Sequence, residues 1–297
     1  MSALEVQGLG KRFGVRGTSL LARETLDAVA DVSFTLRPGH VTALVGESGS
    51  GKSTVARLLA RLYDPSSGKI LFDGEDVSGR RRRRDVLAYR SKVQMIFQDP
   101  FASLNPVKRI DHHLGRPLLI HGRCPRSEVD ARVRELLQRV GLVPPDEVAQ
   151  KYPHQLSGGQ RQRVAIARAL AVEPSVILAD EPISMLDVSI RIGILNLILQ
   201  LKRELGIAFL YITHDIASAR YVADEVLVMY RGRIVEQGPT DAVLLDPQHA
   251  YTRLLLSAVP NPESGLRLEP LVRAEFADDI DSQLVELRPG HYVRRQL

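Results

Sequence analysis

Three short stretches carry residue types suited to handling phosphate. "GESGSGKST" (46–54) fits the pattern G-x-x-x-x-G-K-[ST]. Gly46, Gly49 and Gly51, interleaved with Glu47, Ser48 and Ser50, let backbone N–H groups close around phosphate oxygens. Lys52 adds a mobile cation, the Ser53 hydroxyl can ligate magnesium, and Thr54 closes the motif. "VILADEP" (176–182) ends an apolar run in two adjacent acids. Neighbouring strand side chains point to opposite faces, so the pair is expected to divide its tasks. Asp180 is placed to support magnesium and Glu181 to polarise a water attacking a γ-phosphate, with helix capping as the structural use open to the second acid. Gln98, closing "VQMIF", could reach the metal or that water, and His214 follows "IAFLYIT" at a strand end. Strand ends of parallel sheets gather at the ligand crevice, which suits His214 to a γ-phosphate contact. The third stretch, "LSGGQ" (Leu156, Ser157, Gly158, Gly159, Gln160), puts a serine and two glycines at the mouth of a helix. Exposed N–H groups and the helix dipole favour phosphate there, beyond what a bare N-cap turn requires.

These residues need elements to position them. "VTALV" (41–45) predicts a buried central strand before the glycine loop, and Val55, Leu58, Leu59 and Leu62 recur at helical spacing after it. "VSFTL" (32–36) alternates as a half-solvated strand, and "KVQMIFQ" (92–98) predicts another. From Asp99 to about Val172 the chain turns mostly helical, with joints expected at Pro100, Pro106, Pro117, Pro144 and Pro153. Strand "VILAD", a helix over 188–205 and strand "IAFLYI" then resume an α/β alternation that predicts a mainly parallel sheet covered on both faces. "VLVMYRGRIVEQG" predicts a hairpin turning near Gly232, and a proline-marked tail follows from about Thr240.

The chain has 297 residues, 44% of them hydrophobic, enough to bury a large core. Its longest apolar runs fall short of the roughly 20 residues that a membrane helix needs. The start of the chain lacks the apolar stretch of a secretion signal, so an intracellular protein is expected. Cys124 is the single cysteine, which excludes an intrachain disulfide. Net charge is +5, and the run Arg80–Arg84 suits solubility or an anionic membrane surface. No aromatic stacking platform accompanies that run, so no nucleic-acid partner is expected.

In this order the motifs resemble the nucleotide-binding subunits of ATP-binding cassette (ABC) transporters over about residues 4–240. "LSGGQ" separates this family from other P-loop ATPases. The resemblance implies an α/β ABC nucleotide-binding domain (1–240) with a mainly parallel core sheet, an antiparallel β subdomain and an inserted helical subdomain (about 99–172), followed by a C-terminal tail (241–297). It implies ATP and Mg²⁺ as ligands, Phe13 stacked on adenine, and Asp187 of "SMLD" (184–187) in the aspartate loop. It also implies a second ATPase subunit, identical or paralogous, whose bound ATP the "LSGGQ" loop completes. "FQDPFASLNP" (97–106) and "HAYTRLLLSAVPNP" (249–262) resemble the dipeptide, oligopeptide and nickel importer branch, which also takes oligosaccharides. Many relatives read Thr-Ser-Ala where this chain has Ile183-Ser184-Met185. Two transmembrane permease subunits, an extracellular substrate-binding protein and a place on the cytoplasmic face of the membrane follow from that branch. Some of its members hold an iron–sulfur cluster on tail cysteines; this tail has none, so no cluster is expected. Other uses of the same core motifs are a soluble ABC protein acting on nucleic acid or ribosomes, and an export or lipid ATPase.

Overall fold

The computed structural model describes residues 3–16, 23–79, 82–257 and 282–296. In chain order, β1 (Leu4–Arg16) and β2 (Arg23–Leu36) precede β3 (Val41–Val45), the glycine loop and α1 (Lys52–Leu59). Strands β4 (Ser67–Phe72) and β5 (Glu75–Asp76), helix α2 (Arg83–Lys92) and strand β6 (Val93–Ile96) follow. A helical run comprises α3 (Pro100–Ser103), α4 (Ile110–Ile120), α5 (Val129–Arg139), α6 (Pro145–Gln150) and α7 (Gly158–Leu170). The α/β alternation resumes with β7 (Val176–Asp180), α8 (Val188–Leu205), β8 (Ala208–Thr213) and α9 (Ile216–Val222). The chain continues through β9 (Glu225–Tyr230), β10 (Arg233–Pro239), α10 (Thr240–Leu245), α11 (Ala250–Ser257), β11 (Ser282–Arg288) and β12 (His291–Gln296).

The main sheet has the order β11-β12-β10-β9-β3-β8-β7-β6, parallel from β6 through β9 and antiparallel beyond. A second, antiparallel sheet has the order β2-β1-β4-β5. Every residue of β3, β7 and β8 is buried, as a sheet covered on both faces demands. Successive side chains serve two cores. Ala43, Ala179, Phe209 and Tyr211 pack with α8 and the helical run, whereas Leu44, Leu178, Leu210 and Ile212 pack with Val55, Leu58 and Leu59 of α1 and the second sheet. In the register, Val45 faces Thr213 and Ile212 faces Asp180, so β3, β7 and β8 all end at one edge. The glycine loop, Glu181 and His214 therefore leave the sheet together.

Several local expectations shift. β6 stops at Ile96, which leaves Gln98 in the loop beyond it. α1 ends at Leu59, and Leu62 is exposed because the apolar stripe outlasts the helix. Pro117 is no joint but lies inside α4, where it removes the N–H that would bond the His113 carbonyl. That loss costs about 3 kcal/mol. Ile110, Leu114 and Leu118 are essentially fully buried on the same helix, and each contributes about 1.5–3 kcal/mol. Arg80 and Arg81 lie outside the described residues, as do 258–262 of the tail motif; Arg83 and Arg84 open α2, exposed. Cys124 packs half-buried against the larger core.

The last hairpin continues the main sheet, with Glu236 of β10 opposite Val293 of β12. Glu236 is completely buried; its carboxylate accepts from the Gln248 and His249 backbone N–H groups at 2.8 and 2.9 Å and pairs with His291 Nε2 at 2.8 Å. Arg294, also buried, donates to the Ile234 and Ser282 carbonyls.

Candidate active site

The loop between β3 and α1 is shaped by its glycines. Gly46 has φ 153°, and a Cβ there would lie 2.2 Å from the Met229 carbonyl oxygen; Gly51 has φ 109°, with the Ala28 carbonyl 2.4 Å from such an atom. Only glycine fits either place. Lys52 opens α1, buried, and its Nζ donates to the Gly46 and Glu47 carbonyls at 2.7 Å each. Burial lowers the Lys52 pKa, partly offset by Glu181, Asp180 and Glu47. Ser50 is buried with its hydroxyl unpaired among the described residues.

Ser53, one residue on, donates its hydroxyl to Asp180 Oδ1 at 2.9 Å. Asp180 ends β7 and is 4% exposed, and burial raises its pKa against the opposing Ser53 bond. Glu181 has already left the strand: its φ is 47°, rare for a side chain with a Cβ, and its N–H donates to the Ile212 carbonyl. That backbone turn takes Glu181 off the strand, so the opposite-face rule no longer relates it to Asp180: Glu181 lines the cleft directly, and Asp180 reaches it through Ser53. Gln98 Nε2 donates to Glu181 Oε2 at 2.9 Å, and His214 Nδ1 lies 3.0 Å from Glu181 Oε1. His214 stands between β8 and α9, whose N-terminus is capped by Asp215 through the Ala217 and Ser218 N–H groups.

One open cleft of about 950 Å³ is lined by Phe13, Ser48, Gly49, Gly51, Lys52, Ser53, Thr54, Gln98, Glu181 and His214, whereas Gly46, Glu47, Ser50 and Asp180 stand outside its lining. Phe13 sits at its mouth, edge-on to Tyr63 with ring centroids 5.5 Å apart. Leu26, Asp27, Ala28, Arg231 and Gly232 complete the lining, and the sequence motifs do not mark them as site residues. The hairpin signal at Gly232 marked only a turn; what it could not show is that the Gly232 N–H donates to the Ser50 carbonyl at 2.9 Å while its own carbonyl accepts from Ala30.

Leu156–Gln160 and Asp187 do not line this cleft. Ser157 caps α7: its Oγ accepts from Gln160 N–H at 3.2 Å, and Gln160 Oε1 accepts from Ser157 N–H at 3.0 Å. Leu156 is buried beneath it. Gly159 packs tightly against Ile190 and Gly158 lies beside Leu186, which joins the pentapeptide to the start of α8, where Asp187 is the exposed N-cap residue. The cleft and this second patch each present helix N-termini with polar groups, suited to the two sides of a polyphosphate.

The sequence profile of the family described as "ABC transporter" matches residues 29–184, more than half of the chain. The chain belongs to the ABC transporter family. In this ABC chain a second profile, "Oligopeptide/dipeptide transporter, C-terminal region", matches residues 235–278. It is 44% identical to the oligopeptide transport ATP-binding protein OppF of Bacillus subtilis, covering 98% of this chain and 95% of that protein. It is 49% identical to the glutathione import ATP-binding protein GsiA of Escherichia coli O6:H1, over 98% of this chain but 48% of the relative. The chain thus spans about half the length of GsiA. Among solved structures, the ATP-binding cassette MJ0796, in a dimeric post-hydrolysis state bound to ADP and Pi, superposes with a TM-score of 0.70 at 29% identity, over 80% of this chain and 98% of that one. CbiO1 of Clostridium perfringens, part of the transporter complex cbiONQ, reaches 0.69 at 31% identity, over 82% and 91%. The α/β architecture described above is that of the ABC ATPases.

Proposed function

We propose that this chain binds ATP in the cleft and hydrolyses it to energise import of a peptide-type solute through separate membrane subunits. The observation that carries the reading is the convergence of Ser53 with Asp180, and of Gln98 and His214 with Glu181, on the rim of the glycine loop. The peptide class is supported by the tail's match to an oligopeptide/dipeptide transporter region and by likeness to proteins named for oligopeptide and glutathione transport.

Within this reading Phe13 stacks on the adenine. The glycine loop, through Ser48, Gly49, Gly51, Ser53 and Thr54, presents N–H groups to the phosphates, and Lys52 transfers its ammonium from loop carbonyls to phosphate oxygens. Asp180 and Ser53 fit a divalent cation: a buried carboxylate whose ionisation burial disfavours, beside a hydroxyl, gains from a positive partner. Ser53, Asp180 and Gln98 would hold Mg²⁺, which when bound neutralises charge on the transferring phosphoryl group. Glu181 takes the proton of the attacking water, held in orientation by Gln98, while His214 contacts the γ-phosphate. Leu156–Gln160 and Asp187 face the ATP of a second ATPase subunit, identical or paralogous. The ATPase domain spans 1–240, with the helical subdomain at about 99–172 docking on two permease subunits, and the tail spans 241–297. An extracellular binding protein delivers the solute, and the chain works on the cytoplasmic face of the membrane. Among the described residues no helix is long and apolar enough to cross it.

The test is ATP turnover by the purified chain assembled with its permease, with and without peptide-loaded binding protein. Glu181→Gln should cut turnover roughly 10²- to 10⁴-fold while ATP still binds. Undiminished turnover would remove Glu181 from the chemistry.

A further inference from the structure

The motif "HAYTRLLLSAVPNP" has no part in the chemistry above, yet one of its side chains reaches the phosphate loop. Tyr251, on α11, is 1% exposed, and its Oη accepts from the Glu47 backbone N–H at 3.1 Å. That N–H belongs to the peptide unit between Gly46 and Glu47. The carbonyl of the same unit, on Gly46, accepts from Lys52 Nζ at 2.7 Å. A peptide unit is rigid and planar, with its N–H and C=O pointing in opposite directions. Tyr251 therefore grips one end of the plate whose other end anchors the loop's cation.

We propose that Tyr251 is a positioning residue of the phosphate loop: by holding the Gly46–Glu47 peptide unit through its N–H, it sets the carbonyl on which Lys52 rests and so aims Lys52 at the phosphates. The proposal rests on the ATP reading of the cleft. Gly46 already sits at φ 153°, a backbone conformation with no Cβ to fix the peptide unit that follows it. The restraint itself is firmly seated. The Tyr251 ring lies against Tyr230 with centroids 4.3 Å apart, just before the Gly232 turn that bonds Ser50. Tyr251 N–H donates to His249 Nδ1, and the completely buried carboxylate of Glu236 fastens the Gln248 and His249 N–H groups ahead of α11. Burial pushes the Tyr251 phenol up to about 12, so it stays neutral across the physiological range and puts no negative charge beside the phosphate loop.

The test compares wild type with Tyr251→Phe, which keeps the ring and removes the oxygen. One hydrogen bond to the loop is worth about a threefold to tenfold change in ATP affinity. Because Lys52 meets phosphate and not the base, adenosine affinity should stay the same while ATP affinity falls by that factor. Thr252→Val, the next position on α11 and equally buried, with its hydroxyl unpaired among the described residues, should change neither. Equal loss of ATP and adenosine affinity, no loss at all, or the same selective loss in Thr252→Val would overturn the assignment. Hydrogen exchange of the Glu47 amide, read on the wild-type chain without nucleotide, gives an independent check: it should be protected, and protection should drop at least tenfold in Tyr251→Phe. A wild-type Glu47 amide exchanging like an exposed loop amide refutes the hold. Failure of the wild type to bind ATP would instead be a failure of the proposed function, and the two are told apart because the exchange measurement needs no nucleotide.

Discussion

Ser157→Asp separates the two uses of the serine in "LSGGQ". The Ser157 hydroxyl serves α7 as an acceptor, taking the Gln160 N–H at 3.2 Å, which leaves its own proton to be donated outward from an exposed position. An aspartate caps as well as a serine. The first turn of α7 holds no acidic residue, so a carboxylate also gains about 0.3–1 kcal/mol from the helix dipole. The isolated chain should therefore melt at or slightly above the wild-type temperature. Function should respond in the opposite direction. Two unit negative charges about 4 Å apart at an effective dielectric constant near 20 repel by about 4 kcal/mol, roughly three orders of magnitude in an equilibrium constant. If Ser157 faces a partner's γ-phosphate as proposed, a carboxylate there meets that penalty, so assembled Ser157→Asp complexes should lose nearly all ATPase activity. Ser157→Ala gives the contrast, losing about 1 kcal/mol of cap as well as the outward donor. The assays are thermal denaturation without nucleotide and steady-state ATP turnover of the complex. A Ser157→Asp complex that melts normally and turns over at the wild-type rate would reduce the pentapeptide to a helix cap.

Two further outcomes are expected. Burial holds the Asp180 pKa above the ordinary carboxylate value, so the ionised group opposes folding above that raised pKa; as pH falls through it the folded chain takes up the proton and the penalty is relieved. Without nucleotide or divalent cation, Asp180→Asn should be more stable than wild type at neutral pH, with the gap closing in acid, while losing the stabilisation that Mg·ATP gives wild type; a less stable variant at pH 7 would contradict this. A Cβ at Gly159 would lie 2.5 Å from Ile190 Cγ2, whereas one at Gly158 meets Leu186 Cδ2 at 3.5 Å. Gly159→Ala should cost about 1–3 kcal/mol and lower the melting temperature by several degrees, and Gly158→Ala should leave it unmoved; equal losses would refute the packing difference.

The parts of the site that were legible in the sequence are contiguous. "GESGSGKST", "VILADEP" and "LSGGQ" each place their side chains through one local junction of strand, loop and helix, so spacing alone announces them. Buried strands β3, β7 and β8 were equally plain, because a covered parallel strand is written as an unbroken apolar run. Gln98 and His214 each follow a strand end, and both reach Glu181 because the parallel strands β6, β7 and β8 in register end at one edge. What stayed hidden depends on approaches across long separations in the chain. Gly232 touches the loop at Ser50, and Tyr251 touches it at Glu47, 204 positions away. Nothing in local periodicity encodes either contact. Helix ends depart from local preference where burial outweighs it, as at Pro117 inside α4, or where an apolar stripe outruns the core that could cover it, as at Leu62.

The left-handed backbone at Glu181 bears on how this position is kept. A residue with a Cβ at φ 47° holds on the order of 1–3 kcal/mol of conformational strain that glycine would not have. A screen that rewarded thermal endurance alone would steer position 181 toward glycine, removing the carboxylate that Gln98 and His214 orient. If Glu181 is the base proposed above, it is a point where endurance and turnover pull apart, the strained backbone being the cost of a carboxylate at that place.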